Sequence, residues 1–208
     1  GMELRQAGIK SPSMVLTAGT DSFEQIVNYG LEPGIPNLYS LRILCEVLQK
    51  RGITDFPVHI KLDTGMHRLG FMTDELKELT DFLKTSREVR VRSVYSHLAA
   101  ADDPCCDDFT LGQISMFKEN ADRLTEALGY KPLYHVLNSA GIERFPQYQF
   151  DMVRLGIGIY GVSAIPGNHL SPVASFKCKI LQVKTLTPGD GTIGYGRHGK
   201  IAPGGTVI

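Results

Sequence analysis

Pro57-Val58-His59-Ile60-Lys61-Leu62-Asp63, continuing as Thr64-Gly65-Met66-His67-Arg68-Leu69-Gly70, is the stretch on which the fold turns. Its first seven residues read as a strand bounded by turn formers. Lys61 stands in the middle of the run between Ile60 and Leu62, and the period of two puts Asp63 on the same face. A lysine buried there needs a partner or loses its charge, and Asp63 is the nearest candidate. Gly65 and Gly70 then let the backbone come close to a ligand, with Arg68 between them. An amphipathic helix follows from Thr73 to about Lys84, with Leu76, Leu79 and Leu83 on one face.

The same alternation extends in both directions. Upstream, Ser40 caps a helix from Leu41 to Lys50 that Gly52 stops, and Leu31 to Tyr39 is an extended stretch broken by Pro33 and Pro36. Before these, Thr20 or Asp21 caps a helix through Phe23, Ile26, Val27 and Tyr29, Ser13 to Thr17 reads as a strand, and Glu3 to Ala7 reads as the last turns of a helix ended by Gly8. Downstream come a strand Val89 to His97, a long helix Phe109 to Leu128 ended by Gly129, and a strand Leu133 to Leu137. A helical turn Ser139 to Arg144 and a last strand Met152 to Leu155 complete the series. Strands and helices alternating at this spacing predict βαβ units on a parallel sheet. After Pro166 the pattern changes: Val173 to Leu186 alternates as a strand, Pro188-Gly189-Asp190-Gly191 makes a turn, and no helix follows. The expectation is an α/β barrel portion over 1–166 and the start of an all-β domain over 167–208.

The chain has 208 residues, 22 Lys+Arg against 22 Asp+Glu, 42% hydrophobic and 21% charged. That balance excludes a disordered, collagenous or disulfide-scaffold chain. A net charge of +0 provides no general field for nucleic acid or an anionic membrane. Cys45, Cys105, Cys106 and Cys178 lack zinc-ligand spacing and read as reduced thiols, which together with the lack of a signal peptide points to the cytoplasm. Leu155 to Asn168, the longest uncharged stretch, is too short to span a bilayer.

Polar residues gather at strand ends: Lys61 and Asp63, then His97, then Asn138 and Ser139, then Arg154. In parallel α/β folds the carboxyl ends of the strands build the active site. Asn138-Ser139, opening a helical turn, reads as a phosphate cradle, with Gly156 and Ile157 offering further backbone donors. Gly156-x-Gly158 is no GxGxxG fingerprint, because Gly161 falls at the wrong offset.

Val58 to Phe71 resembles the central signature of the alanine racemases, which use pyridoxal phosphate (PLP). Tyr95-Ser96-His97-Leu98-Ala99, His135-Val136-Leu137-Asn138-Ser139-Ala140, Val153-Arg154-Leu155-Gly156-Ile157-Gly158 and Gly194-Tyr195-Gly196 follow in that family's order. The resemblance implies a TIM-type barrel, of which about six parallel strands are present, followed by a β domain. It implies that Ser139, Gly156 and Ile157 bind the PLP phosphate beside Asn138. His97 would pack on the pyridine ring and Arg154 would bond the ring nitrogen. An arginine there cannot readily share its proton, so the ring stays a weaker electron sink, which suits a racemase. Arg68 would contact the phenolic oxygen and the substrate carboxylate, with help from the backbone at Met66. Lys61 corresponds to a lysine that is carbamylated in several members. Tyr195 would be one acid/base, acting in the neighbouring subunit of a homodimer on a small amino-acid substrate.

The family's Schiff-base lysine, carried in a Val-Val-Lys-Ala-x-x-Tyr-Gly-His-Gly type of segment, has no counterpart here, and His67 stands where many members carry glycine. The expectation is an excerpt, inactive alone, of a longer enzyme that interconverts L- and D-alanine for peptidoglycan. The alternatives are another PLP enzyme of the same barrel type, such as a broad-specificity racemase or a decarboxylase, or a non-catalytic barrel relic. Arg154 argues against a decarboxylase, which typically places a carboxylate at the ring nitrogen.

Overall fold

The computed structural model describes residues 1–207 and divides into two compact units, Gly1–Val173 and Ala174–Ile208, against an expected boundary at 166/167. In the first unit, helix α1 (Met2–Gln6) leads into strand β1 (Met14–Val15), helix α2 (Phe23–Asn28), strand β2 (Glu32–Ile35) and helix α3 (Leu38–Lys50). Strand β3 (Phe56–Lys61), helix α4 (Leu76–Thr85), strand β4 (Val89–Tyr95), helix α5 (Asp107–Leu128), strand β5 (Leu133–His135) and helix α6 (Ser139–Arg144) complete the alternation. The strands are all parallel and lie in chain order β1-β2-β3-β4-β5, the order of a TIM-type barrel opened along one side.

The three long helices each bury an apolar stripe. Helix α3 buries Leu41, Leu44, Cys45 and Leu48; α4 buries Leu76, Leu79 and Leu83; α5 buries Ile114, Phe117, Ala121 and Leu124. The strands supply Ile35, Val58, Ile60, Val91 and Val94 to the same core. Helix α5 ends at Gly129, whose φ of 71° places it in the left-handed region that glycine adopts without steric cost. Helix α3 starts three residues before the expected Leu41. Its cap is Asn37, whose side chain accepts from the Ser40 amide at 2.8 Å, while the Ser40 hydroxyl bonds back to the Asn37 carbonyl.

Five strands form the sheet, not about six, because Met152 to Leu155 is not a strand. Asp151 accepts the Tyr134 amide on its own carboxylate at 2.9 Å, and Phe150 takes a φ of 50°, so the ladder breaks before it can extend. The segment still runs beside β5, with the Arg154 amide bonded to the Leu137 carbonyl at 3.0 Å.

The second unit is built from short antiparallel pairs. Strand β6 (Thr185–Leu186) pairs with β9 (Thr206–Val207), and β7 (Thr192–Ile193) pairs with β8 (Gly199–Lys200). The expected strand from Val173 survives only as its last two residues. Among the described residues, nothing pairs with 174–184, and Phe176 and Leu181 are exposed. A single extended segment without a neighbour gains no ladder hydrogen bonds and does not count as a strand. All four cysteines are free thiols. Among the described residues, no helix is long and apolar enough to cross a membrane.

Candidate active site at the carboxyl ends of the strands

Strand β3 ends at Lys61 and delivers its side chain inward, buried between strands. The chain then makes a closed loop. The Asp63 amide bonds the Phe71 carbonyl at 2.9 Å, and the Phe71 amide bonds the Lys61 carbonyl at 2.8 Å. The close approach requires Gly70: a Cβ there would sit 2.6 Å from the backbone of Leu62 and Asp63. Asp63 is not the partner of Lys61. Its Oδ1 accepts the amides of Gly65 (2.9 Å) and His67 (3.1 Å), so the carboxylate holds the loop. Lys61 has no hydrogen bond or ion pair among the described residues, and burial together with the charges of Arg68 and Arg154 pulls its pKa down. Arg68 is exposed on the same loop, and Met66 is half-buried beside it.

On the other side, Arg154 reaches back across β5 into the polar interior. Its Nη1 donates to His135 Nδ1 (2.8 Å) and to the His135 carbonyl (3.0 Å). Its Nη2 faces the carbonyls of Ser96 and Val136 and lies 3.4 Å from His97 Nδ1. Among the described residues its Nε–H has no acceptor. The guanidinium stays charged, since burial lowers its pKa only to about 10. His97 is correspondingly neutral: burial first, then Arg154, Arg68 and Lys61, hold its pKa down at about 4.

Helix α6 opens with Asn138 as its cap, accepting the Gly141 amide at 3.0 Å and donating to the Leu98 carbonyl. This aims Ser139 at the glycine-rich turn, where its Oγ accepts from the amides of Gly156 (2.9 Å) and Gly158 (3.0 Å). A Cβ at Gly158 would fall 2.9 Å from the Leu155 side chain and 3.4 Å from that of Ser139, so the turn packs closely there. His97, Asn138, Ser139, Arg154, Gly156 and Ile157 line one cavity of about 510 Å³, open to solvent. A larger cavity of about 820 Å³, between the loop after β3 and α5, contains none of these residues and is lined mainly by apolar groups. Tyr195 belongs to the second unit, where it is fully exposed at the start of a tight turn.

Sequence reasoning singled out neither Glu32 nor Ser93, and read His59, Tyr95 and His135 only as parts of motifs. The structure shows them as the polar interior beneath the cavity. The Tyr95 ring stacks on His135 (centroids 5.2 Å apart, 3° between planes), and its hydroxyl bonds the Leu16 carbonyl at 3.1 Å. Gly34 makes room for that hydroxyl, since a Cβ there would lie 2.4 Å from it. Strand parity was the available signal: His59 with Lys61, and Ser93 with Tyr95, are polar pairs two apart on adjacent strands, in register with each other.

A parallel half-barrel that sets an arginine and a hydroxyl–amide cradle in one cavity at its strand ends has the architecture of a barrel-type small-molecule site. Its family is known: the model for "Alanine racemase, N-terminal domain" matches residues 1–164, and the chain belongs to that family. It is 35% identical to an alanine racemase of Synechocystis over 95% of this chain, and 35% identical to one of Nostoc over 98%. The chain spans about half the length of these relatives, 54% of each. Among solved structures, alanine racemases of Streptomyces lavendulae (TM-score 0.80, 27% identity, 95% of this chain and 53% of that one) and Clostridium difficile (0.76, 29%, 96% and 53%) share the fold.

Proposed function

We propose that this chain forms the cofactor- and substrate-binding half of a PLP-dependent alanine racemase, which interconverts L- and D-alanine and supplies the D-isomer for peptidoglycan. The observation that carries this reading is one cavity that presents Arg154, His97, Asn138 and the Ser139 cradle together, with Arg68 and Lys61 close enough to His97 to help lower its pKa. Arg154 lines the cavity with a single carboxylate, Asp102, and the further positive charge of Arg68 and Lys61 nearby favours an anionic ligand. The donor set fits PLP. Ser139 and the amides of Gly156 and Ile157, with Asn138 fixing the helix start, would hold the phosphate. Arg154 has one N–H free of protein acceptors, as a ring nitrogen requires, and a neutral His97 beside it can lie against the ring without adding charge. When bound, PLP supplies the electron withdrawal that makes the substrate α-hydrogen acidic.

The chain's own groups then divide the work. Arg68 and the backbone near Met66 orient the substrate carboxylate, and a carbamylated Lys61 would turn a cation into an anion able to steer Arg68. Tyr195, on the second unit, is the acid/base for one face of the α-carbon and acts across a homodimer in the cytoplasm. A phenol serves as a base near neutrality only where neighbouring cations lower its pKa.

Equilibrium dialysis of this chain against PLP tests the reading. We expect saturable binding that inorganic phosphate displaces, weakened about tenfold or more by Ser139→Ala and by Arg68→Ala, each of which removes a hydrogen bond to a charged group. Binding indifferent to both substitutions would overturn it. So would a full-length polypeptide that binds PLP yet exchanges no α-hydrogen of alanine in deuterated water.

A further inference from the structure

A continuous hydrogen-bond chain crosses four strands beneath the cavity. It begins at half-exposed Arg92, whose Nη1 donates to Glu32 Oε1 at 3.2 Å. Glu32 Oε2 meets His59 Nε2 at 3.0 Å, and His59 Nδ1 meets Ser93 Oγ at 2.6 Å. Ser93 Oγ meets His135 Nε2 at 2.8 Å, and His135 Nδ1 ends on Arg154 Nη1 at 2.8 Å. Glu32, His59, Ser93 and His135 are all buried, none more than 6% exposed. None of them is exposed enough to exchange these contacts freely for water.

With both rings neutral, every proton in this chain follows from its two ends. A guanidinium only donates, so His135 Nδ1 must be a bare acceptor and its proton sits on Nε2. That Nε2–H donates to Ser93 Oγ. The single Ser93 proton is then free only for His59 Nδ1, which leaves the His59 proton on Nε2, donating to Glu32. A carboxylate only accepts, so the far end agrees with the near one. We infer that Glu32 is a positioning residue for Arg154: acting through His59 and Ser93, its carboxylate selects the His135 tautomer that receives the guanidinium and aims it at the cavity. Reversing the chain would turn a His135 N–H against an arginine N–H. Burial supports the neutral rings, since it lowers the pKa of His59 and takes that of His135 to about 3. That Arg154 faces a cofactor rests on the function proposed above; the proton arrangement does not.

Long-range ¹H–¹⁵N correlation on the chain labelled in histidine and arginine reads the tautomers directly. The expected result at pH 6 is Nε2–H for both His59 and His135, with Nδ1 unprotonated in each. An Nδ1–H tautomer at His135, or a charged ring at either position, overturns the inference without needing any variant. Glu32→Leu should scramble the His59 tautomer and move the Arg154 Nε resonance, while Glu32→Gln, which can still accept at the same place, should restore both. Glu32→Leu should also weaken PLP binding by about tenfold, the worth of roughly one charged hydrogen bond, with Glu32→Gln within about threefold of the parent. A folded Glu32→Leu chain with an unmoved Arg154 resonance counts against the inference. Correct tautomers without any PLP binding would leave it standing and sink the racemase reading instead.

Discussion

The two flanks of the cavity solve the problem of a buried cation in opposite ways. On the β5 flank, the two terminal nitrogens of Arg154 are matched to acceptors: a histidine ring and three carbonyls. On the β3 flank, Lys61 is buried and Arg68 stands exposed, neither with an acceptor among the described residues. The first flank is preorganised by the protein, so a ligand meets a group already in place. The second is left incomplete, so a ligand or a covalent modification must finish it. The lesson is that stability and binding are assigned to different strands of one sheet.

Paired substitutions should separate the flanks most sharply. Arg154→Met strands the His135 Nδ1 and the inward-facing carbonyls, and should cost about 3 kcal/mol by urea unfolding. Lys61→Met, by contrast, removes a cation whose Nζ meets only the Tyr95 ring, 6.0 Å from its centroid, and should leave stability unchanged or raise it by up to about 1 kcal/mol, allowing for the solvent that reaches Nζ. Comparable losses in both variants would erase the distinction.

Titration offers the next largest effect, and the flanks should again part. His135 binds a proton at pH 6.5 when unfolded but only at about pH 3 when folded. Unfolding therefore takes up a proton in that window, and stability falls as pH drops through it. Between pH 7 and pH 5 the loss from His135 should be about 2 kcal/mol, absent in a folded His135→Asn chain. Lys61 works at the other end. Its folded pKa lies below the unfolded value, so the unfolded chain holds the proton longer and stability rises with pH between the two. A rise at alkaline pH that persists in Lys61→Met would have to come from elsewhere.

Much of this was legible in the sequence, for reasons that differ by element. The alternation of strands and helices, the glycine stops at Gly52 and Gly129, and the placing of Lys61, His97 and Ser139 at or just after strand ends all follow from local periodicity and the geometry of parallel sheets. Met152 to Leu155 misled because an apolar run cannot announce that Asp151 will take the neighbouring amide with its side chain. Val173 to Leu186 misled because alternation describes one strand's faces and says nothing about whether a partner is at hand. The Asp63 assignment failed for a third reason: sharing a face with Lys61 is a matter of parity, whereas capturing two loop amides depends on the turn that follows. The chain through Glu32, His59, Ser93 and His135 needed register across four strands, which one-dimensional patterning does not contain.

The loop between the flanks carries the smallest effect and a finer test of the same contrast. His67 sits at a φ of 51°, a left-handed conformation that a residue with a Cβ adopts at a cost of roughly 1 kcal/mol. Its amide is fastened to Asp63 Oδ1, and its exposed ring lies 3.6 Å from Asp63 Oδ2. His67→Gly removes the steric cost and keeps the amide bond, but adds freedom to the unfolded chain, an opposing effect of about 0.5–1 kcal/mol. The balance should be a stabilisation of no more than about 0.5 kcal/mol in the urea midpoint. If Asp63 holds this loop through backbone amides alone, PLP binding should be unchanged in His67→Gly and reduced in Asp63→Ala. A loss of binding in His67→Gly as large as that in Asp63→Ala would mean that the ring, and not the turn, positions Arg68.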